Sequence, residues 1–91
     1  MVIFAALLCF EENVNYNGYK VSSIKGPMTA EQCQGHCQQE PQCHHFRMMK
    51  DTGDCELKKE GADAVREMSD NRICGPKFCP TNEEMGMITV T

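Results

Sequence analysis

Seven cysteines in a chain of 91 residues are the feature of this sequence that most limits its possible folds. A chain this short buries only a modest share of its surface, so its core alone would leave it marginally stable. Cysteines at this density typically form a disulfide framework, which persists in secretory and extracellular compartments. Three bridges would contribute on the order of the whole net stability of a domain, about 5–15 kcal/mol. We therefore predict one small secreted domain that is stabilised by disulfides.

The charge and the apolar segments of the chain exclude several classes of partner. A net charge of -4 argues against nucleic acids, heparin and anionic membranes, because such binding depends on clustered Lys and Arg. The apolar run at residues 1–8 is far shorter than the roughly 20 residues that a membrane helix needs, so we expect no membrane insertion. We interpret this run as an N-terminal strand or as an artificial extension of a segment cut from a longer secreted chain.

The first third of the chain has a β pattern. Val14 and Tyr16, and then Tyr19 and Val21, alternate with polar residues and predict two short strands. The dipeptide at 17–18, Asn-Gly, separates them and favours a tight turn.

One helix is predicted from Ala30 to about Gln39. Thr29 is placed as its N-cap and Gln32 follows three residues later, an arrangement in which each side chain satisfies a free backbone N–H of the other. Cys33 and Cys37 are four residues apart, so both thiols project from the same face of the helix.

The second half of the chain predicts a hairpin that the helix can cross. The side chains of residues 43–49 alternate as in a strand. His44, Phe46 and Met48 are expected on one face, and Cys43 and the other residues of this segment on the opposite face. Turn residues at 51–54 lead to a second strand at 55–58. Residues 60–71 are ambiguous between a helical turn and a loop, a short strand follows around Ile73, and residues 80–91 read as a linker or a disordered tail.

The segment AEQCQGHCQQEPQCHHF resembles the helix-and-strand signature of the apple, or PAN, domain, and CELKK resembles the strand that follows it. The opening CFEENVNYNGYKV and the closing CGPKFC most resemble the tandem apple repeats of micronemal adhesins from apicomplexan parasites, of the coccidian, Eimeria-like type. The resemblance extends from Cys9 to Cys79, so residues 9–79 are expected to form the domain. It implies an α+β fold: an antiparallel β-sheet of about five strands with one α-helix packed across it, stapled by disulfides.

The resemblance also implies three disulfides, one from helix to hairpin, one from the helix end to the next strand, and one end to end. These pairs are Cys33 with Cys55, Cys37 with Cys43, and Cys9 with Cys79. The sequence departs from the family pattern at its seventh cysteine, Cys74, which Cys9 could also reach. We expect Cys74 to be the free or minor partner, either exchanging with the end-to-end bridge, or inert and buried, or bridged to another repeat.

The function that the resemblance implies is that of a non-catalytic adhesive module in a secreted, micronemal-type protein. Such a module would bind a host-cell surface protein or carbohydrate during attachment and invasion. The alternative is an assembly module that holds a partner adhesin or a protease zymogen. The implied location is secreted, in a microneme or at the cell surface, and no cofactor is expected.

Metal binding and catalysis are weaker interpretations of the same residues. Cys33, Cys37 and Cys43 with two histidines suggest zinc, but His44 and His45 are adjacent on a predicted strand and face opposite sides. A catalytic Cys-His pair needs a free, partly exposed thiol, whereas six of the seven cysteines are expected in bridges. No GxSxG, HExxH, phosphate-binding Gly-rich loop or EF-hand motif is present, so we predict neither a metal site nor an enzyme.

Candidate ligand-binding residues are those of types common on recognition surfaces, together with the one basic pair. They are Tyr16, Tyr19, His45, Arg47, Lys58 and Lys59. An aromatic ring stacked on a sugar would suit a lectin, but either tyrosine could instead pack within the sheet.

Overall fold

The computed structural model of the chain describes residues 9–80. These residues form five strands, one α-helix and one 3-10 helix. In chain order they are β1 (Glu11–Tyr16), β2 (Lys20–Ile24), α1 (Ala30–Gln39), β3 (His45–Met49), β4 (Cys55–Lys58), the 3-10 helix η1 (Ala62–Val65) and β5 (Arg66–Pro76). All strands belong to one antiparallel sheet of order β1-β5-β3-β4-β2, so the predicted α+β fold is confirmed. The interpretations of residues 1–8 and 81–91 lie outside the described residues.

Local sequence signals explain α1 and the hairpin of β3 and β4. The Thr29 hydroxyl accepts a hydrogen bond from the backbone N of Gln32, and the Gln32 side chain accepts one from the backbone N of Thr29. The predicted N-terminus of the helix is therefore confirmed. Residues 50–54 connect β3 to β4, which pair in register from His45 with Lys58 to Met48 with Cys55.

The main core lies between α1 and one face of the sheet. The helix contributes Cys33 and Cys37, and the hairpin contributes Phe46, Met48 and Leu57. A second, smaller cluster comprises Tyr16, Ala62 and Cys74 with Val14 packed against them. The small size of both clusters fits a domain that depends on covalent bridges.

Three disulfides tie these layers together, and they join the pairs that the resemblance implies. The first links α1 to β4, the second links α1 to the segment before β3, and the third joins the two ends of the described chain. They are Cys33–Cys55, Cys37–Cys43 and Cys9–Cys79, with sequence separations of 22, 6 and 70 residues.

Two local predictions about the strands are wrong. β3 begins at His45, and Cys43 precedes it and is buried in the same cluster as Phe46 instead of facing the other side. The disulfide to Cys37 in α1 explains this position, because it draws the segment before the strand under the helix.

The last strand is also longer than the sequence indicates. β5 spans 11 residues, Arg66–Pro76, and η1 precedes it. Its polar first half pairs with β1, so it needs no apolar alternation of its own. Gly75 and Pro76 are extended parts of this strand.

Candidate functional site

Four of the six predicted ligand-binding residues lie away from the helix. The side chains of β3 and β4 that pack under α1 alternate with those of His45, Arg47 and Lys58, which therefore occupy the opposite face of the sheet. The end of β1 reaches the same region. There the ring of Tyr16 meets the ring of His45 edge to face, with centroids 5.6 Å apart.

Glu56 of β4 joins the charged groups of this face. Its Oε1 lies 3.2 Å from Nη2 of Arg47, and it also accepts a hydrogen bond from Nζ of Lys58, which is 1% exposed. Nη1 of Arg47 donates to Oδ1 of Asn15 at 3.0 Å. Burial raises the pKa of Glu56, but the hydrogen bond from Lys58 and the charge of Arg47 outweigh it and hold that pKa below 4.5. Glu56 is thus a partly buried carboxylate that stays ionised between two cations.

Tyr16 and His45 are packing residues in this arrangement. Tyr16 is 4% exposed, and its hydroxyl donates to the carboxylate of Glu11. Burial, and then this hydrogen bond, raise the pKa of Tyr16 well above its usual value. Nε2 of His45 lies 3.3 Å from Oδ1 of Asp63, yet burial keeps the pKa of His45 below 6.5. The ring of Tyr16 therefore offers no open face to a ligand, and the side chain of His45 is 17% exposed.

Tyr19 and Lys59 lie together at a different place, just outside β2 and β4. The backbone N of Lys59 donates to the carbonyl of Tyr19 at 2.8 Å. Tyr19 has a φ of 58° and its ring packs beside Gly61, yet 42% of the residue remains exposed. Lys59 lines a shallow groove with Gln42, His44 and Glu60. The six candidates therefore form two separate groups.

A cleft of about 390 Å³ opens beside the Arg47–Glu56 pair. It lies where β2, β3 and β4 adjoin, and its wall combines charged, hydroxyl and aliphatic side chains. The lining residues are Ser23, Ile24, Lys25, Arg47, Met49, Asp54, Cys55 and Glu56. Of these, sequence reasoning named only Arg47 as a ligand-binding candidate. It missed Glu56, although alternation in CELK places Glu56 with Lys58 on the face opposite Cys55.

Cys74 is free and buried. Its Sγ donates to the carbonyl of Val14 at 3.0 Å, and burial raises the pKa of its thiol to about 11. It packs with Tyr16 and Ala62, whereas Cys79 lies near Gln34 of α1. Because the attacking species in disulfide exchange is the thiolate, these surroundings favour the inert thiol over the exchanging one.

The cysteines proposed as zinc ligands are all disulfide-bonded, which leaves none of their thiolates for a metal. Within residues 9–80, no group of three or more His, Cys, Asp or Glu side chains is arranged to hold a metal ion. The helices in that part of the chain are too short or too polar to cross a membrane.

The chain is similar to a protein-family model and to solved structures. The family model of the PAN domain matches residues 9–79. Among solved structures, the chain is similar to a solution ensemble of the two N-terminal apple domains (residues 58–231) of Toxoplasma gondii microneme protein 4. That match has a TM-score of 0.66 and 28% identity, and it covers 82% of this chain and 48% of the other. The chain thus spans about half the length of that structure. No curated protein matches the chain.

Proposed function

Because this chain belongs to the PAN domain family, we propose that it is a non-catalytic adhesive module of a secreted, micronemal-type protein. Its ligand is a host-cell surface protein or carbohydrate, bound during attachment and invasion. It is secreted, and its location is a microneme or the cell surface. The likeness to the apple domains of a microneme protein and the disulfide framework support this proposal.

The observation that carries the proposal is the cleft beside the Arg47–Glu56 pair. Its volume of about 390 Å³ lies in the range of small-ligand sites, about 300–1,000 Å³. Ion pairs and disulfides hold its wall in position, so a ligand would not have to order these groups on binding.

A non-catalytic role agrees with the state of the nucleophiles. The free thiol in the described part of the chain, Cys74, is buried with a raised pKa of about 11. The ring of His45 packs against Tyr16, and its Nε2 lies 3.3 Å from Oδ1 of Asp63. We propose a single binding domain from Cys9 to Cys79, with residues 1–8 and 80–91 as extensions, in keeping with the bridge between those two cysteines.

The test is binding of the purified, fluorescently labelled 91-residue chain to cultured host cells. We expect saturable binding that excess unlabelled chain displaces. Lys25→Glu, at the rim of the cleft, should reduce binding, and Lys59→Glu, the same charge change outside the cleft, serves as its control. Absence of saturable binding by the folded chain would overturn the adhesive function.

An assembly module that holds a partner adhesin or a protease zymogen is the second candidate. Phe78 favours it, because this side chain is 64% exposed next to the bridge that joins the ends of the domain. Neighbouring groups are fixed on α1, since Gln38 donates to the carbonyl of Lys77 at 3.0 Å. Co-purification of another parasite protein that Phe78→Ser abolishes, without host-cell binding, would favour this role.

A further inference from the structure

The face of the sheet opposite α1 carries more positive than negative charge at its centre. Arg47 and Lys58 both contact Glu56, and within residues 9–80 neither cation contacts a second carboxylate at ion-pair distance. Two cations therefore share one anion. A partly buried cation without a counter-charge attracts an anion strongly, because little water is present to solvate it.

Nε of Arg47 adds to this imbalance. This atom is buried and has no hydrogen-bond partner among the described residues. The two other nitrogens of the guanidinium are engaged by Asn15 and Glu56. The guanidinium, which belongs to a residue that lines the cleft, therefore retains one unsatisfied donor.

The rim of the cleft extends the same charge pattern. Lys25 lies at the rim with its side chain exposed, and Asp54 accepts a hydrogen bond from the backbone N of Gly26 at 2.8 Å. The cleft lining carries two positive charges, on Lys25 and Arg47, and two negative charges, on Asp54 and Glu56. Lys58 does not line the cleft but contacts Glu56 and adds a third positive charge beside it, although the whole chain is at -4. The surroundings of the cleft are thus locally cationic.

We propose that this cleft binds an acidic sugar, with the carboxylate of the sugar directed towards Arg47 and Lys25. This inference rests on the proposed adhesive function and specifies the ligand class of the same cleft. The carboxylate supplies the missing counter-charge. The sugar hydroxyls donate to Asp54 and Glu56, which can only accept hydrogen bonds when ionised.

An acidic peptide fits the cleft less well. An Asp or Glu side chain brings only acceptors, which the carboxylates of Asp54 and Glu56 repel. A sugar ring brings donors beside its carboxylate, and its C–H face can lie against Ile24 and Met49. The cleft volume of about 390 Å³ also exceeds what one small acidic side chain occupies.

The test is a titration of the isotope-labelled 91-residue chain with three probes, followed by the backbone amide resonances. D-glucuronate is expected to shift the amides of Ser23, Lys25 and Met49 in a saturable way. D-glucose, which lacks the carboxylate, and L-glutamate, which has a carboxylate but no sugar ring, should each bind at least about tenfold more weakly.

Two variants and one control variant test the sign of the charge. Lys25→Glu is expected to weaken D-glucuronate binding about tenfold or more, whereas Lys59→Glu leaves it unchanged. Glu56→Gln removes the negative charge that competes for Arg47 but keeps a side-chain oxygen that can accept from a sugar hydroxyl, so it should preserve or strengthen the binding. Because Lys25 and Lys59 are exposed, their variants keep the test valid even if Glu56→Gln fails to fold.

Three results would overturn the inference: equal binding of D-glucose, equal binding of L-glutamate, or no saturable shift with D-glucuronate. If the chain binds host cells but shows one of these results, the adhesive function stands and the acidic sugar is wrong. If D-glucuronate binds and host cells do not, the adhesive function is the part that fails.

Discussion

The residues around Cys74 control how readily its thiol ionises. Its raised pKa of about 11 leaves roughly one thiol in a thousand ionised at pH 8, against roughly a quarter for an ordinary cysteine. We therefore expect almost no alkylation of the native chain by iodoacetamide at pH 8, followed by complete labelling after denaturation without reduction. Mass spectrometry of the labelled peptides measures both. Equal labelling rates in the native and denatured chains would contradict a buried thiol.

Among the charged residues, Glu56 is the one whose replacement should lower the free energy of unfolding most. Glu56→Gln leaves Arg47 and Lys58 with no shared carboxylate, and we expect the free energy of unfolding to fall by about 2–4 kcal/mol at pH 7. Urea unfolding measures this difference. Glu60→Gln, at an exposed position without an ion pair among the described residues, should change it little.

The pH dependence of this difference follows from the lowered pKa of Glu56. A carboxyl whose pKa is lower in the folded than in the unfolded chain stabilises the fold above its unfolded pKa. That contribution is lost as the pH falls through the folded pKa, below 4.5. The gap between the native chain and Glu56→Gln should therefore be widest near neutral pH and narrow towards pH 3. A gap that widens on acidification would contradict this assignment.

At the level of secondary structure elements, two glycines provide opposite tests. Gly35 lies inside α1, and no atom lies within 4 Å of the place that an alanine Cβ would take, so Gly35→Ala should stabilise by about 0.5–1 kcal/mol. In β5 the Cβ of an alanine at Gly75 would lie 2.8 Å from Phe46 and 2.9 Å from Phe10. Gly75→Ala should therefore destabilise by about 1–3 kcal/mol. Urea unfolding of both variants gives the signs, and a stabilised Gly75→Ala would contradict the packing described.

Elements specified by neighbouring residues could be predicted from the sequence. The start of α1 follows from Thr29 and Gln32, and the turn between β3 and β4 follows from its Asp and Gly residues. Strand pairing could not, because it depends on residues far apart in the chain. β1 and β2 are separated by three residues, yet they form opposite edges of the sheet.

In the candidate site, too, some features follow from local sequence and others depend on strand pairing. The type of residue suggested Arg47, but the burial of Tyr16 depends on how β1 pairs with β5. The burial of Lys58 depends on how β4 pairs with β2 and β3. The cleft exists because β2 pairs with β4 and places Ser23 opposite Glu56. No local pattern in the sequence specifies that register.

The whole molecule depends on its bridges because neither core cluster is large. The loops closed by the disulfides differ greatly in length, and in the chain-entropy account a longer loop gives more stabilisation. The separations of 6, 22 and 70 residues correspond to about 2, 3 and 4 kcal/mol. Removing Cys37 with Cys43, Cys33 with Cys55, or Cys9 with Cys79 should thus cost progressively more. Thermal or urea unfolding of the three double alanine variants measures the order, and its reversal would show that native-state packing around the bridges dominates.

The last prediction separates covalent from metal-dependent stability in the whole domain. A strong reductant opens all three bridges, and the combined loss of about 9 kcal/mol is comparable to the net stability of a typical small domain. We therefore expect the chain to lose its cooperative thermal transition in excess reductant. EDTA should leave the transition unchanged, because Cys33, Cys37 and Cys43 are held in disulfides and supply no thiolates to a metal. Circular dichroism during heating, with and without each reagent, measures both effects. A transition lost in EDTA alone, or fully retained in reductant, would show that something other than the disulfides holds the domain together.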